Sequence, residues 1–257
     1  MKKIFATAFI LLTAFFMAGC NQKMDLNTQF SEITKIYYSG ISNDGHMSAS
    51  ISVGQREEPY IVDGKHGKNC DFSLLIVKFD NAVYFNEITI DFFVDNQSKS
   101  LILEFNPINS TFMADLGYAL QDGKNYSMTY SNYSLSFERT SDGFKVGYED
   151  AVQMSINELV DQLSGYYNGN VFAGECYLKI LSKSEDGVPN LYWIFTVIGE
   201  NGNSNNVLID IKDGEIILSN WQNSLNLIQK YCKFMGNNVI IYLWKKFIKN
   251  KCNKKMQ

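Results

Sequence analysis

The feature that most constrains this chain is a series of short runs in which apolar and polar residues alternate. Met47, Ala49, Ile51 and Val53 alternate with Ser48, Ser50 and Ser52, and Ile88, Ile90 and Phe92 alternate with Thr89 and Asp91. A period of two places one side of an extended strand in a core and the other in solvent. The stretch from Phe72 to Phe79 is more continuously apolar and reads as a core strand closed by Asp80-Asn81. Ile33, Ile36, Tyr37 and Tyr38 form a first β-prone run. Leu101, Leu103 and Phe105, then Tyr126, Met128 and Tyr130, then Leu135 and Phe137 continue the series. Asp95-Asn96 and Asp122-Gly123 supply turn chemistry between them. Strands at this spacing build a β-sandwich or an open barrel. Residues 32–140 are therefore expected to form an antiparallel β-sandwich-like domain. A lone helix is also compatible with Phe112 to Leu120. Composition agrees, because 18 Phe and 15 Tyr stand against 3 Pro, a balance that suits strands.

After Ser141-Asp142-Gly143 the period changes. Tyr148, Val152, Ile156, Leu159, Val160 and Leu163 recur at helical spacing, and Glu149 and Asp150 fall in the first turn. Carboxylates there complement the helix dipole, and Gly165 is placed to end the helix. Strands are expected at Glu175 to Leu181, Leu191 to Ile198, Asn206 to Ile211 and Glu215 to Leu218, with Asp213-Gly214 turning the chain into the last. The fold class expected for the whole is mainly β with an α+β part: the sandwich, then a small helix-plus-antiparallel-sheet domain over 146–218.

Three stretches of this second region carry a resemblance. They are Tyr148-Glu149-Asp150-Ala151-Val152, the aromatic strand Tyr192-Trp193-Ile194-Phe195-Thr196-Val197, and Val207-Leu208-Ile209-Asp210-Ile211-Lys212-Asp213-Gly214-Glu215-Ile216. Together they are similar to the PepSY domain. The resemblance implies an extracytoplasmic, non-catalytic module, attached in some relatives to peptidases or cell-wall proteins and thought to inhibit them. It carries no catalytic residues over.

At the start of the chain, Lys2 and Lys3 precede an apolar or small-residue run from Ile4 to Met17, and Ala18-Gly19-Cys20 follows. This reads as a secretory signal over 1–19. The Met17-Ala18-Gly19-Cys20 tetrad resembles the bacterial lipobox. It implies acylation of the Cys20 thiol and a protein tethered outside the cytoplasmic membrane through 20–31, a polar linker. The competing reading is an uncleaved anchor, since the run is nearly long enough to span a bilayer. The first half otherwise resembles bacterial lipoproteins of unassigned function.

Charge is unevenly distributed. The net charge is −4, but eight lysines fall between Lys230 and Lys255 with no Asp or Glu among them. Without these and the two signal lysines the stretch between carries −14. An acidic body excludes a nucleic-acid footprint. The basic tail over 219–257 reads either as an amphipathic segment on an anionic surface or as a solvated end. Cys70, Cys176, Cys232 and Cys252 leave both a Cys70–Cys176 bridge and free buried thiols open. No pair of Cys or His has the spacing of zinc ligands, and no cofactor is expected.

The candidate binding loop is Gly54 to Asn69, which concentrates Arg56, Glu57, Glu58, Asp63, Lys65 and His66 between two strands. Loops on a β-scaffold carry binding function disproportionately. There is no GxSxG, HExxH, SxxK or Gly-rich phosphate loop, so no catalytic residue is assigned. These readings lead to a membrane-anchored, non-enzymatic binding or regulatory module with an envelope protein or cell-wall polymer as partner. The alternative is an envelope hydrolase using His46 or His66, the two histidines of the chain, with Asp63 or Glu58. That alternative requires the histidines to converge beside a carboxylate.

Overall fold

Strand β1 (Phe30–Ile41) is shared by both halves of the molecule, and the rest of the architecture follows from it. The computed structural model describes residues 30–80, 85–168, 171–185 and 188–219. The signal, Cys20, most of the tether, Cys232, Cys252 and the basic tail beyond Ser219 lie outside the described residues. The chain is mainly β with a small α part.

The first half contains β1, β2 (Met47–Glu58), β3 (Lys68–Phe79), β4 (Glu87–Val94), β5 (Gln97–Asn106), β6 (Thr111–Asp115), β7 (Tyr126–Tyr130) and β8 (Tyr133–Ser136). These pair in the order β1-β2-β3-β6-β5-β4-β7-β8. Beyond β8, Glu138 bridges back to Ser39 of β1 through two backbone hydrogen bonds of 2.9 and 3.0 Å. Of the two arrangements that the strand spacing allows, a sandwich or an open barrel, residues 32–140 do not form the stacked sheets of the first: one sheet rolls until β8 and β1 meet. Strand spacing specifies neither outcome, because both arrangements need the same alternation. The alternating residues point into the roll, where Ile51, Leu75, Ile90, Phe92, Leu103, Phe112 and Met128 are fully or almost fully buried. Each such side chain contributes roughly 1.5–3 kcal/mol by burial. Phe112 to Ala114 lie in strand β6 and the following segment carries Leu116 and Leu120 into the same core, so no helix forms there. Pairing on both sides, with Val77 to Leu75 of β3 and Phe105 of β5, decides this in favour of strand.

The second half has a helix α1 (Tyr148–Glu158), a short α2 (Val160–Leu163), the two-residue strands β9 (Tyr167–Asn168) and β10 (Val171–Phe172), and then β11 (Gly174–Glu185), β12 (Val188–Gly199), β13 (Ser204–Asp210) and β14 (Ile216–Ser219). The helical stretch is interrupted at Leu159, whose φ of −98° and ψ of 12° leave the helical region. Leu159 is buried while its neighbour Val160 is exposed, so only one of the two belongs to the apolar stripe. Ala151, Val152, Leu159 and Leu163 pack on Cys176, Leu178, Trp193, Phe195, Val207 and Ile209. The indole of Trp193 donates to the Val146 carbonyl at 2.8 Å, which satisfies its one polar group in the core.

The two sheets are continuous. Strand β11 pairs with β1 in parallel, through Phe30–Cys176, Glu32–Tyr177 and Ile33–Leu178. Phe30 and Ile33 enter the core under the helix, whereas Tyr38 enters the rolled core. The register with β2 slips between Thr34 and Ile36, an extra residue of the kind that bends a strand. Opposite the slip, a Cβ on Gly54 would lie 1.9 Å from the Ile33 carbonyl oxygen, so the two backbones approach there as only glycine permits. Phe30 and Ser31, expected in the tether, are the buried start of this strand. Cys70 and Cys176 are both free thiols, the second facing the helix.

Candidate functional site

The connection between β2 and β3 is the loop 59–67, and two buried carboxylates hold its backbone. Glu175 of β11 is fully buried, and its Oε1 accepts hydrogen bonds from the amides of Asp63 and Lys65, each at 2.8 Å. Its Oε2 accepts the hydroxyl hydrogen of Tyr177. Glu57 of β2 is 2% exposed, and its Oε2 accepts the Gly67 amide at 2.6 Å and the Ser31 hydroxyl at 2.9 Å. The loop tip rests on the turn after β12. Gly64 has φ of +84°, and a Cβ there would lie 2.6 Å from the backbone of Glu200. Only glycine meets both demands.

Beside this anchor lies a second polar group. The Lys179 ammonium donates to Glu32 Oε2 at 2.9 Å and to the Tyr60 hydroxyl at 2.8 Å. It also sits 5.2 and 5.5 Å from the ring centroids of Tyr60 and Tyr177, within cation–π range. Arg56 pairs with Asp115 and lies over the rings of Phe72 and Tyr60 at 5.0 and 5.5 Å.

Burial dominates the electrostatics. It pushes the Glu175 carboxyl up to about 7, with the nearby Glu57 charge adding to it and the hydrogen bonds from Tyr177, Asp63 and Lys65 opposing it. Tyr177 is raised by burial and by its bond to Glu175. Tyr60 is pushed up to about 12 by burial against the pull of Lys179. For Lys179, burial lowers the pKa but Glu32 and Tyr60 outweigh it, and the ammonium is retained above its ordinary range.

The residues singled out by sequence have different fates. Arg56 pairs with Asp115 beside the anchor, and Glu57 is a buried acceptor of the Gly67 amide and the Ser31 hydroxyl, not a solvated surface charge. Glu58, Asp63 and Lys65 carry exposed side chains, and Lys65 reaches Glu200 at 3.9 Å. His66 is half-buried, and its Nδ1, like Glu57 Oε1 and Asn69 Oδ1, is buried without a hydrogen-bond partner. His46 lies at the opposite end of β2, beside Asp80 at 3.7 Å. A strand of 12 residues separates the histidines, roughly 35 Å of extended chain. They do not converge, so a site that needs both is not formed. Tyr126, Tyr130 and Tyr133 pack inward against Phe92 and Phe79.

Sequence reasoning missed Glu175, Tyr177, Lys179, Glu32 and Tyr60. One signal was available: Glu175, Tyr177 and Lys179 alternate with Cys176, Leu178 and Ile180, which marks a polar face on a core strand. Among the described residues no group of three or more His, Cys, Asp or Glu side chains is arranged to hold a metal ion. Comparison with protein-family models, curated proteins and solved structures gives no match to this chain.

Proposed function

We propose that the protein is an extracytoplasmic lipoprotein, anchored to the cell membrane through a lipid on Cys20, that binds an envelope partner without catalysing a reaction. The observation that carries this reading is the fixed backbone of loop 59–67, held at three amides by Glu57 and Glu175 while Glu58, Asp63 and Lys65 are exposed. A loop ordered before it meets its partner loses little entropy on binding. Such a frame with charged side chains of both signs suits a protein or a charged wall polymer. The acidic body argues against nucleic acid. The helix laid on β12 and β13 is compatible with a PepSY-like second half, whose relatives accompany peptidases and wall proteins. The separated histidines speak against a hydrolase that would use both of them.

Two experiments test the two parts of this reading. Capture from a membrane fraction with the wild-type chain and with Asp63→Ala/Lys65→Ala should show a partner that the double variant loses; equal capture by both would overturn the loop as the binding surface. The variant Cys20→Ser should lose the lipid mass and membrane association in high salt, because each buried methylene of an acyl chain is worth about 0.8 kcal/mol. An unaltered mass and unaltered retention would instead make Ile4 to Met17 an uncleaved anchor.

A further inference from the structure

We propose that the apolar run 239–244 of this chain docks on the β11–β14 sheet, on the face turned away from helix α1. The middle of this sheet is apolar on both faces. Strand β12 reads Leu191-Tyr192-Trp193-Ile194-Phe195-Thr196-Val197-Ile198, a run without alternation. Such a run is the pattern of a strand covered on both sides. Trp193, Phe195 and Val197 lie in the core under the helix, together with Cys176, Leu178, Val207 and Ile209. Tyr192, Ile194, Thr196 and Ile198 point the other way, since successive side chains alternate across a sheet.

The register divides that outer face into two parts. Glu175 pairs with Ile198, and Tyr177 with Thr196, at the end that loop 59–67 covers. The Tyr60 ring meets Tyr177 edge-on at 6.3 Å, and Gly64 lies against the backbone of Glu200. The next rows are Lys179–Ile194–Leu208–Leu218 and Leu181–Tyr192. Past Lys179 this end is apolar: Leu181, Tyr192 and Leu208 form a cluster with Ile194, Ile217 and Leu218. Every described side chain of the cluster comes from the four strands, and Ile194, Ile217 and Leu218 remain half-exposed around its centre. A solvated face of an antiparallel sheet carries polar residues, so this part is built to be covered.

The occupant is the chain's own continuation. Strand β14 ends at Ser219, which pairs with Val207, the neighbour of Leu208, so the chain leaves at the rim of the cluster. Residues 220–238 then separate that exit from Val239, roughly 60 Å of extended chain, enough to reach any point of the face. Val239, Ile240, Ile241, Tyr242, Leu243 and Trp244 are consecutive apolar residues, too few to span a membrane. Charge favours the same contact. The eight lysines of the tail face a body of −14, and Asp213 and Glu215 are exposed at the turn into β14. An anionic membrane would compete for those lysines but would leave the apolar end of the sheet open.

The test is amide hydrogen exchange on the full chain in solution without lipid. Amides of 239–244 should exchange at least about tenfold more slowly than those of an unstructured peptide. The Asp63 and Lys65 amides, held by Glu175, are the reference for the folded state. Ile241→Asp alters the run alone; it should abolish protection at 239–244 and leave the reference unchanged. A p-benzoylphenylalanine placed at Ile194, or at Ile217 if the first variant does not fold, should cross-link to 239–244 at monomer mass. Free exchange at 239–244, or protection that appears only with phosphatidylglycerol vesicles, would overturn the docking. So would protection that survives Ile241→Asp, cross-links at dimer mass, or cross-links to another segment. None of these readings needs an envelope partner, so they stand apart from the capture experiment.

Discussion

The inside of the rolled sheet and the junction beside it are buried by the same strands, yet they are stabilised on different terms. Inside the roll the packed groups are Ile51, Leu75, Ile90, Phe92, Phe112 and Met128, with no demand beyond shape. At the junction the buried groups are Glu32, Glu57 and Glu175, each accepting from named donors, although Glu57 Oε1 has none among the described residues. Apolar burial is non-directional and tolerates substitution of similar volume. A buried carboxylate tolerates little, because each lost donor leaves a charge or lone pair uncompensated. The contrast teaches where this molecule keeps its stability and where it keeps its specificity. The roll supplies free energy, and the junction fixes the geometry of a loop.

The largest effect should come from the roll. Phe92 is 1% exposed and stacks on Tyr126 at 6.1 Å. Phe92→Ala removes its burial and leaves a cavity, at a cost of about 3–5 kcal/mol. The urea midpoint should fall with little change in slope. Loop protection at Asp63 and Lys65 should remain in the folded fraction. Loss of that protection as well would mean the two regions are not separable in the way proposed.

A smaller but more specific effect is expected from Lys179→Met. The side chain of Glu32 is 8% exposed and its partner ammonium 26%. Removing one member of a buried pair typically costs about 3–5 kcal/mol, and the partial opening of Lys179 reduces this to about 2 kcal/mol. Adding Glu32→Gln should recover much of the loss, since the uncompensated charge is then gone. A double-mutant cycle with no coupling between the two positions would show that the junction behaves like the roll.

The same contrast explains what could be read from the chain alone. The strands of the roll were legible because Met47 to Val53 and Ile88 to Phe92 state their inward faces by alternation. Helix α1 was legible from the spacing of Tyr148, Val152 and Ile156. The junction was not, because it depends on β1 meeting β11, a pairing of Ile33 with Leu178 across most of the described chain. No local pattern reports such a contact. Glu57 therefore looked like one more charge in a polar loop, although its strand position opposite Asn69 is inside. The loop's place in the sequence was legible; its anchoring by Glu175 required the fold.

The smallest effect is expected at the far end of the same hairpin. His46 and Asp80 approach to 3.7 Å, with both side chains more than half exposed. Exposed pairs of this kind contribute about 0–1 kcal/mol, so His46→Asn should shift stability by no more than about 0.5 kcal/mol. It should also leave capture of a partner and protection of loop 59–67 unchanged, because the length of β2 lies between His46 and Gly67. His66→Asn is the informative companion. It alters a half-buried group beside Gly67, whose amide Glu57 holds, and should change loop protection without touching the roll. If both histidine variants abolished one and the same activity, the two ends of the hairpin would have to act on one substrate. The separation along β2 would then be the wrong description of the working molecule, and the loop could no longer be treated as a surface that acts alone.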